Sequence, residues 1–270
     1  MMNEVHYDVA TLGNHEFDYS IPTLLKRANE LECGYVCCNF KDLETDKIPF
    51  EPYKIIDLGD IQVAFVGVST PSTLISSTPT FFQNDDCEYI YSFGEHGTEL
   101  YDIVQENVDK VRTEGADYVI LLAHLGENDV EEIWSAPTVA ENTSGIDVII
   151  DGHSHEVTPE LIVKNKDDQD VTITQTGTKL ANIGKLTISA DGNIKTELVD
   201  IVPEPAGDSG IPEDSWTKAE DRQGRCIDVA VNNKIKELQS DIDNAVNEVI
   251  GHTEVFLMFC LSAIPFVLQE

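Results

Sequence analysis

Three short stretches carry the side chains that could do chemistry here. Gly13-Asn14-His15-Glu16-Phe17-Asp18 sets an amide, an imidazole and two carboxylates within five consecutive residues. His124-Leu125-Gly126 and Asp151-Gly152-His153-Ser154-His155 add three more imidazoles. An amide oxygen can ligate a cation, an imidazole can ligate or relay protons, and a carboxylate can do either or orient the imidazole. His153 and His155 stand two residues apart, so an extended backbone would point both to one side. That spacing suits two metals, or one metal and a substrate. A single histidine at a strand end is ordinarily structural. Three histidine-bearing turns on one sheet edge point instead to a metal site, and Asn and Asp mixed with His suit a hydrolytic two-metal centre.

The elements around these stretches would bring them together. Val9 to Leu12 is a short apolar run, and Pro22 to Leu31 reads as a helix, so the first stretch is a strand-to-helix turn. Asp117 to Ala123 and Ile146 to Ile150 are continuous apolar runs, the pattern of buried parallel strands, each ending at a histidine-bearing turn. A partly helical crossover over residues 128–144 would put both ends on the same edge. Leu100, Ile103, Val104, Val108 and Val111 recur at helical spacing and predict a helix between Gly97 and Gly115. Tyr53–Leu58 and Ile61–Val68 predict a hairpin about Gly59-Asp60, and Tyr35–Phe40 a short strand. Residues 69–96 have no period and read as a long ordered loop, a rim or a lid. Strand patterns at 161–163, 171–175, 184–188 and 194–199 predict an antiparallel meander. Met1 to Val5 leads directly into the first strand, with no room for earlier structure.

Composition narrows the function. The 270 residues hold 50 Asp and Glu against 17 Lys and Arg, a formal net charge of −33. Such a surface repels phosphate backbones and anionic lipid, which argues against a nucleic-acid polymer as partner. A bound cation can still reverse the sign locally, so a small anionic substrate remains compatible. The six cysteines, at 33, 37, 38, 87, 226 and 260, show no zinc-ligand spacing and read as small buried hydrophobes. Met1 to Val5 has neither the basic region nor the apolar core of a secretion signal. Residues 255–270 include a run of about 14 apolar-rich residues broken by Pro265, too short for a transmembrane segment.

Taken with Gln175-Thr176-Gly177 and Asn182-Ile183-Gly184-Lys185-Leu186, the three stretches resemble the calcineurin-like metallophosphoesterases. Within that superfamily they resemble most the 5′-nucleotidase / 2′,3′-cyclic phosphodiesterase branch, from about Tyr7 to Gly251. The resemblance implies an α/β fold, a β-sandwich flanked by helices in four αββα layers. It implies two divalent metal ions, zinc, manganese or similar, and hydrolysis of a nucleotide or other small phosphate ester. Asn14, His124 and His153 would ligate one metal and His155 the other. His15 and Asp18 would form a catalytic dyad, the imidazole assisting the transferring phosphoryl group or the leaving oxygen and the carboxylate holding the imidazole. Extracellular or cell-wall location is implied as well.

The family pattern also places an Asp-x-His and a bridging Gly-Asp ahead of the first stretch. His6-Tyr7-Asp8 has the wrong order, and Gly59-Asp60 lies in a hairpin after it. The expectation is therefore a phosphoesterase domain over 1–202 that lacks its first strands, a linker over 203–217, and a long helix over 218–254 leading toward an absent nucleotide-binding domain. An anomalous apolar tail over 255–270 would follow. With one metal short of ligands, such a chain would be weakly active, or a non-catalytic module holding a single metal.

Overall fold

The computed structural model describes residues 1–200 and 229–247. Residues 2–200 belong to one unit, and the helix at 229–246 to another. The expected linker, both ends of the long helix and the apolar tail lie outside the described residues, as do Cys226 and Cys260.

The chain begins with a helical turn, α1 (Met2–Val5), where the sequence predicts a direct entry into strand. Strand β1 (Ala10–Thr11) then leads to a 3-10 turn at Asn14–Phe17 and helix α2 (Ile21–Ala28), which has Pro22 in its first turn where a missing N–H costs nothing. Next come β2 (Tyr35–Val36), β3 (Lys41–Asp42) and the hairpin of β4 (Tyr53–Asp57) with β5 (Gln62–Ser69), joined as predicted through Gly59-Asp60. Helix α3 (Thr73–Ser76) and β6 (Tyr91–Ser92) follow. Residues 69–96 are thus a packed segment and no lid: Phe82 and Phe93 are fully buried. Helix α4 (Glu99–Thr113), strand β7 (Tyr118–His124), helix α5 (Ala136–Asn142) and strand β8 (Val148–Asp151) complete the crossovers. Strands β9 (Val157–Lys164), β10 (Asp170–Thr176), β11 (Asn182–Ile188) and β12 (Ile194–Asp200) close this unit.

Six strands make the main sheet, in the order β4-β5-β7-β8-β10-β9. The β5, β7, β8 and β10 neighbours pair in parallel, and the two outer pairs are antiparallel. One face is covered by α4 and α5: Val104, Val108, Val111, Val139 and Ala140 pack with Val66, Leu121 and Ile149. On the other face Val63, Ile120 and Val148 meet Leu186 and Ile194 of the β11–β12 pair. The β1–β2 pair supplies a further piece of that second layer. Arg112, near the end of α4, donates to the carbonyls of Asp117 and Gly145 at 2.7 and 2.8 Å and to Asp147 Oδ2 at 2.6 Å, which ties the entries of β7 and β8 together.

The predicted meander is corrected to two separate hairpins. Strand β10 is buried at Val171 through Gln175 on both faces, the signature of an interior strand, and it inserts between β8 and β9. Strand β9 alternates half-buried with exposed residues and takes the edge. Among the cysteines, Cys37 and Cys38 are buried as predicted, Cys33 is half-buried and Cys87 is exposed. Helix α6 (Val229–Val246) carries Ile235, Leu238 and Ile242 at helical spacing. No described helix is long and apolar enough to cross a membrane.

A second core lies under the first functional turn. Phe17 is fully buried, with its ring 5.0 Å from Phe40 and 5.4 Å from both Phe82 and Phe93. The Phe40 and Phe93 contacts are edge-to-face and add to the burial of the rings themselves. Phe17→Ala is expected to destabilise the protein by about 3–5 kcal/mol, read as a lower urea midpoint at unchanged slope.

Candidate metal centre

Three donor atoms meet at the ends of β1, β7 and β8. Asn14 Oδ1 lies 2.9 Å from His124 Nε2, and His153 Nδ1 lies 3.3 Å from the same nitrogen. Asn14 is buried, and its Nδ2 donates to the Ser76 carbonyl at 3.4 Å, which turns the amide oxygen toward the histidines. The His124 ring is held between two glycines. A Cβ on Gly13 would come within 2.9 Å of its Cε1, and one on Gly152 within 3.1 Å of its Nδ1. A side chain at Gly13 would force a shift of the ring, and one at Gly152 would press tightly against it.

His15 and Asp18 form the expected pair, His15 Nδ1 standing 2.8 Å from Asp18 Oδ2. The His15 side chain is 76% exposed, so its Nε2 faces solvent. Asp18 is fixed in turn by the Ser77 hydroxyl, which donates to Oδ1 at 3.0 Å. Glu16 does not join the donors. Its Oε2 accepts the Gly13 N–H at 2.6 Å, and burial raises its pKa despite that bond.

The extended geometry expected for His153 and His155 is not adopted. Both residues have left-handed backbones, φ +80 and +60, because the chain turns sharply at the end of β8. His153 points inward to His124. His155 is exposed and makes no hydrogen bond among the described residues. The two imidazoles therefore do not face a common point through strand alternation. Asp8 lies exposed ahead of β1.

Sequence reasoning missed a further carboxylate. Asp129 Oδ2 accepts from the hydroxyls of Thr70 and Ser72, the latter at 3.3 Å, and lies 3.9 Å from His153 Nε2. Its side chain is fully buried. Nothing local marks this residue, because its partners lie 57 and 59 residues away. The Ser- and Thr-rich composition of 69–78 is the only trace, since that segment supplies Thr70, Ser72, Ser76 and Ser77 to three different site residues.

The donor set suits a divalent cation of the zinc or manganese class: an amide oxygen and a second imidazole, each within about hydrogen-bond distance of His124 Nε2. No third His, Cys, Asp or Glu joins them among the described residues. Burial first, and then the neighbouring His153, His15 and His155, lower the His124 pKa to about 4. Burial lowers His153 as well, against the pull of Asp129. Neutral imidazoles are the form that binds metal, so protons compete little at these nitrogens near neutral pH.

These sites sit in a recognisable family frame. A family model described as calcineurin-like phosphoesterase matches residues 2–157, more than half of the chain. The chain belongs to that family. A 5′-nucleotidase of Vibrio parahaemolyticus is 29% identical over 174 residues, covering 61% of this chain and 30% of that protein. A bovine 5′-nucleotidase is 27% identical over 277 residues, covering 95% of this chain and 42% of that protein. The chain thus spans less than half the length of these relatives. Among solved structures, a 5′-nucleotidase precursor of Thermus thermophilus has a TM-score of 0.67 at 21% identity, covering 92% of this chain and 46% of that one. The calcineurin-like phosphoesterase YfkN of Bacillus subtilis has a TM-score of 0.65 at 22% identity, covering 92% and 74%. The phosphoesterase likeness read from the sequence is borne out, and the mixed α/β architecture is the fold of these structures.

The lowered His124 pKa has a sign that can be measured. An imidazole that prefers to stay neutral in the fold contributes full stability above its unfolded value of 6.5, and that contribution is lost as pH falls toward 4. Asp151, pushed up to about 7 chiefly by burial, acts with the opposite sign. Comparison with His124→Gln isolates the imidazole. In metal-free protein, acidification from pH 7 to 4.5 is expected to cost the parent up to about 3 kcal/mol more than the variant, measured by urea unfolding at each pH.

Proposed function

We propose that this chain forms the metal-holding part of a phosphoester hydrolase of the 5′-nucleotidase type, acting on nucleoside monophosphates or related small phosphate esters. The convergence of Asn14, His124 and His153 beside the His15–Asp18 pair carries this reading. Asn14 Oδ1, His124 Nε2 and His153 Nδ1 would hold one divalent ion, and His155 would contribute to a second. An ion held there would offset phosphate charge and acidify a bound water. His15 gives its Nδ1–H to Asp18, and Nε2 stands on the open side, where in the imidazolium form its own N–H would be transferred to the leaving oxygen or bond a phosphoryl oxygen. Asp18 stabilises the charged imidazole and fixes its tautomer. Ser77 keeps that carboxylate from rotating.

The relatives support the substrate class. Two of them are named 5′-nucleotidase, and a Yersinia enterocolitica protein, 27% identical over 176 residues, is named 2′,3′-cyclic-nucleotide 2′-phosphodiesterase/3′-nucleotidase. We extend the reading to an extracellular or wall-attached location, which cell fractionation would check. The exposure of His155 favours a second reading, in which a single ion binds and turnover is small or absent.

Phosphate release from AMP in the presence of Mn²⁺ or Zn²⁺, with calorimetric titration of the metal, separates the two. Two ions per chain and release that falls about 10²–10⁴-fold in His15→Ala support the hydrolase. One ion without release supports the binding module, and no bound metal overturns both.

A further inference from the structure

One buried carboxylate links the two histidine-bearing turns. Asp151, the last residue of β8, accepts the backbone N–H groups of Leu125 and Gly126 on its Oδ1, at 2.9 and 3.2 Å. Those two residues directly follow His124. On the other side, Gln175 Nε2 donates to Asp151 Oδ2 at 3.4 Å. Gln175 sits on β10, is 1% exposed, and accepts the Glu156 N–H on its Oε1 at 2.7 Å. The Ser154 hydroxyl lies 3.2 Å from Gln175 Nε2 and accepts the Glu127 N–H at 3.1 Å. The turn after β7 and the His153-Ser154-His155 turn are therefore knotted through three side chains, none of which reaches the metal locus. A buried carboxylate whose oxygens face only donors is a demanding arrangement, because a single exchange of donor for acceptor leaves two like groups opposed.

From this geometry we infer that Asp151 and Gln175 are positioning residues, which set the separation and orientation of the His124 and His153 imidazoles. The metal aspect rests on the reading of Asn14, His124 and His153 as metal donors; the positioning itself does not. The left-handed backbone at His153 explains why such a device is needed. A non-glycine residue in that region persists only where its surroundings over-determine it. Here the turn starts at Asp151, whose carboxylate is anchored on the Leu125 and Gly126 N–H groups of the neighbouring turn, and ends at Glu156, whose N–H is held by Gln175.

The test exchanges donor and acceptor within the full chain. Asp151→Asn keeps an acceptor for Leu125 and Gly126 but sets an amide donor against the Gln175 amide. The double variant Asp151→Asn, Gln175→Glu reverses the polarity of that contact while retaining one carboxylate and the acceptor for Glu156. Two readouts are taken beside a thermal melt: Zn²⁺ affinity by calorimetry, and the imidazole signals of His124 and His153 by NMR in metal-free protein. Asp151→Asn is expected to bind Zn²⁺ about 10–100-fold more weakly and to shift both imidazole signals, with the double variant recovering both. Unchanged affinity and signals in folded Asp151→Asn overturn the inference, as does a double variant no better than the single one. If the parent binds no Zn²⁺, the metal reading fails and the imidazole signals alone decide the positioning. If Asp151→Asn does not fold, the double variant decides: parent-like signals support the inference, and their absence overturns it.

Discussion

Parallel pairing of β7 with β8 is the constraint on which the site depends. Ile120 lies opposite Val148 and Leu122 opposite Ile150, so both strands run out at the same edge. Their side chains are apolar on both faces, which leaves the strands no stable place except the sheet interior. Once they are there, the first polar residues after each strand must emerge together. His124 and the His153 turn are adjacent for that reason, although 29 residues separate them in sequence. The β1 turn arrives from the second layer, anchored by Phe17, and completes the triangle with Asn14.

Hydrogen bonding then refines what pairing makes approximate. The segment between β5 and β6 contributes a carbonyl to Asn14, a hydroxyl to Asp18 and two hydroxyls to Asp129. Each bond fixes a rotatable polar group that would otherwise spend part of its time turned away. The electrostatics run in the same direction. Burial keeps His124 neutral, so a cation would meet an imidazole without net charge. On a surface carrying a net charge of −33, these uncharged donors form a local exception to the prevailing sign.

Much of this was legible because it is written locally. The continuous apolar runs that become β7 and β8, the helical spacing of α4 and the Gly59-Asp60 hairpin each declare themselves within a few residues. That the turns after β7 and β8 share an edge followed from strand-end logic, and the grouping of Asn14 with His124 and His153 from the family resemblance. The failures are equally physical. Strand β10 reads as one more member of a meander, since no local pattern says that its partner is β8, across the whole of β9. The left-handed turn at His153 and His155 is invisible because both residues are ordinary L-amino acids, and only the fold imposes φ +80 and +60 on them. Asp129 escaped notice because every partner that gives it meaning is distant in sequence.

That turn has an evolutionary side. A left-handed backbone costs a non-glycine residue on the order of 1–2 kcal/mol, and this chain accepts such a conformation twice within three positions. Glycine at either position would relieve the strain and remove an imidazole. Selection for thermal robustness alone would therefore run against the chemistry, erasing donors in exchange for ease of folding.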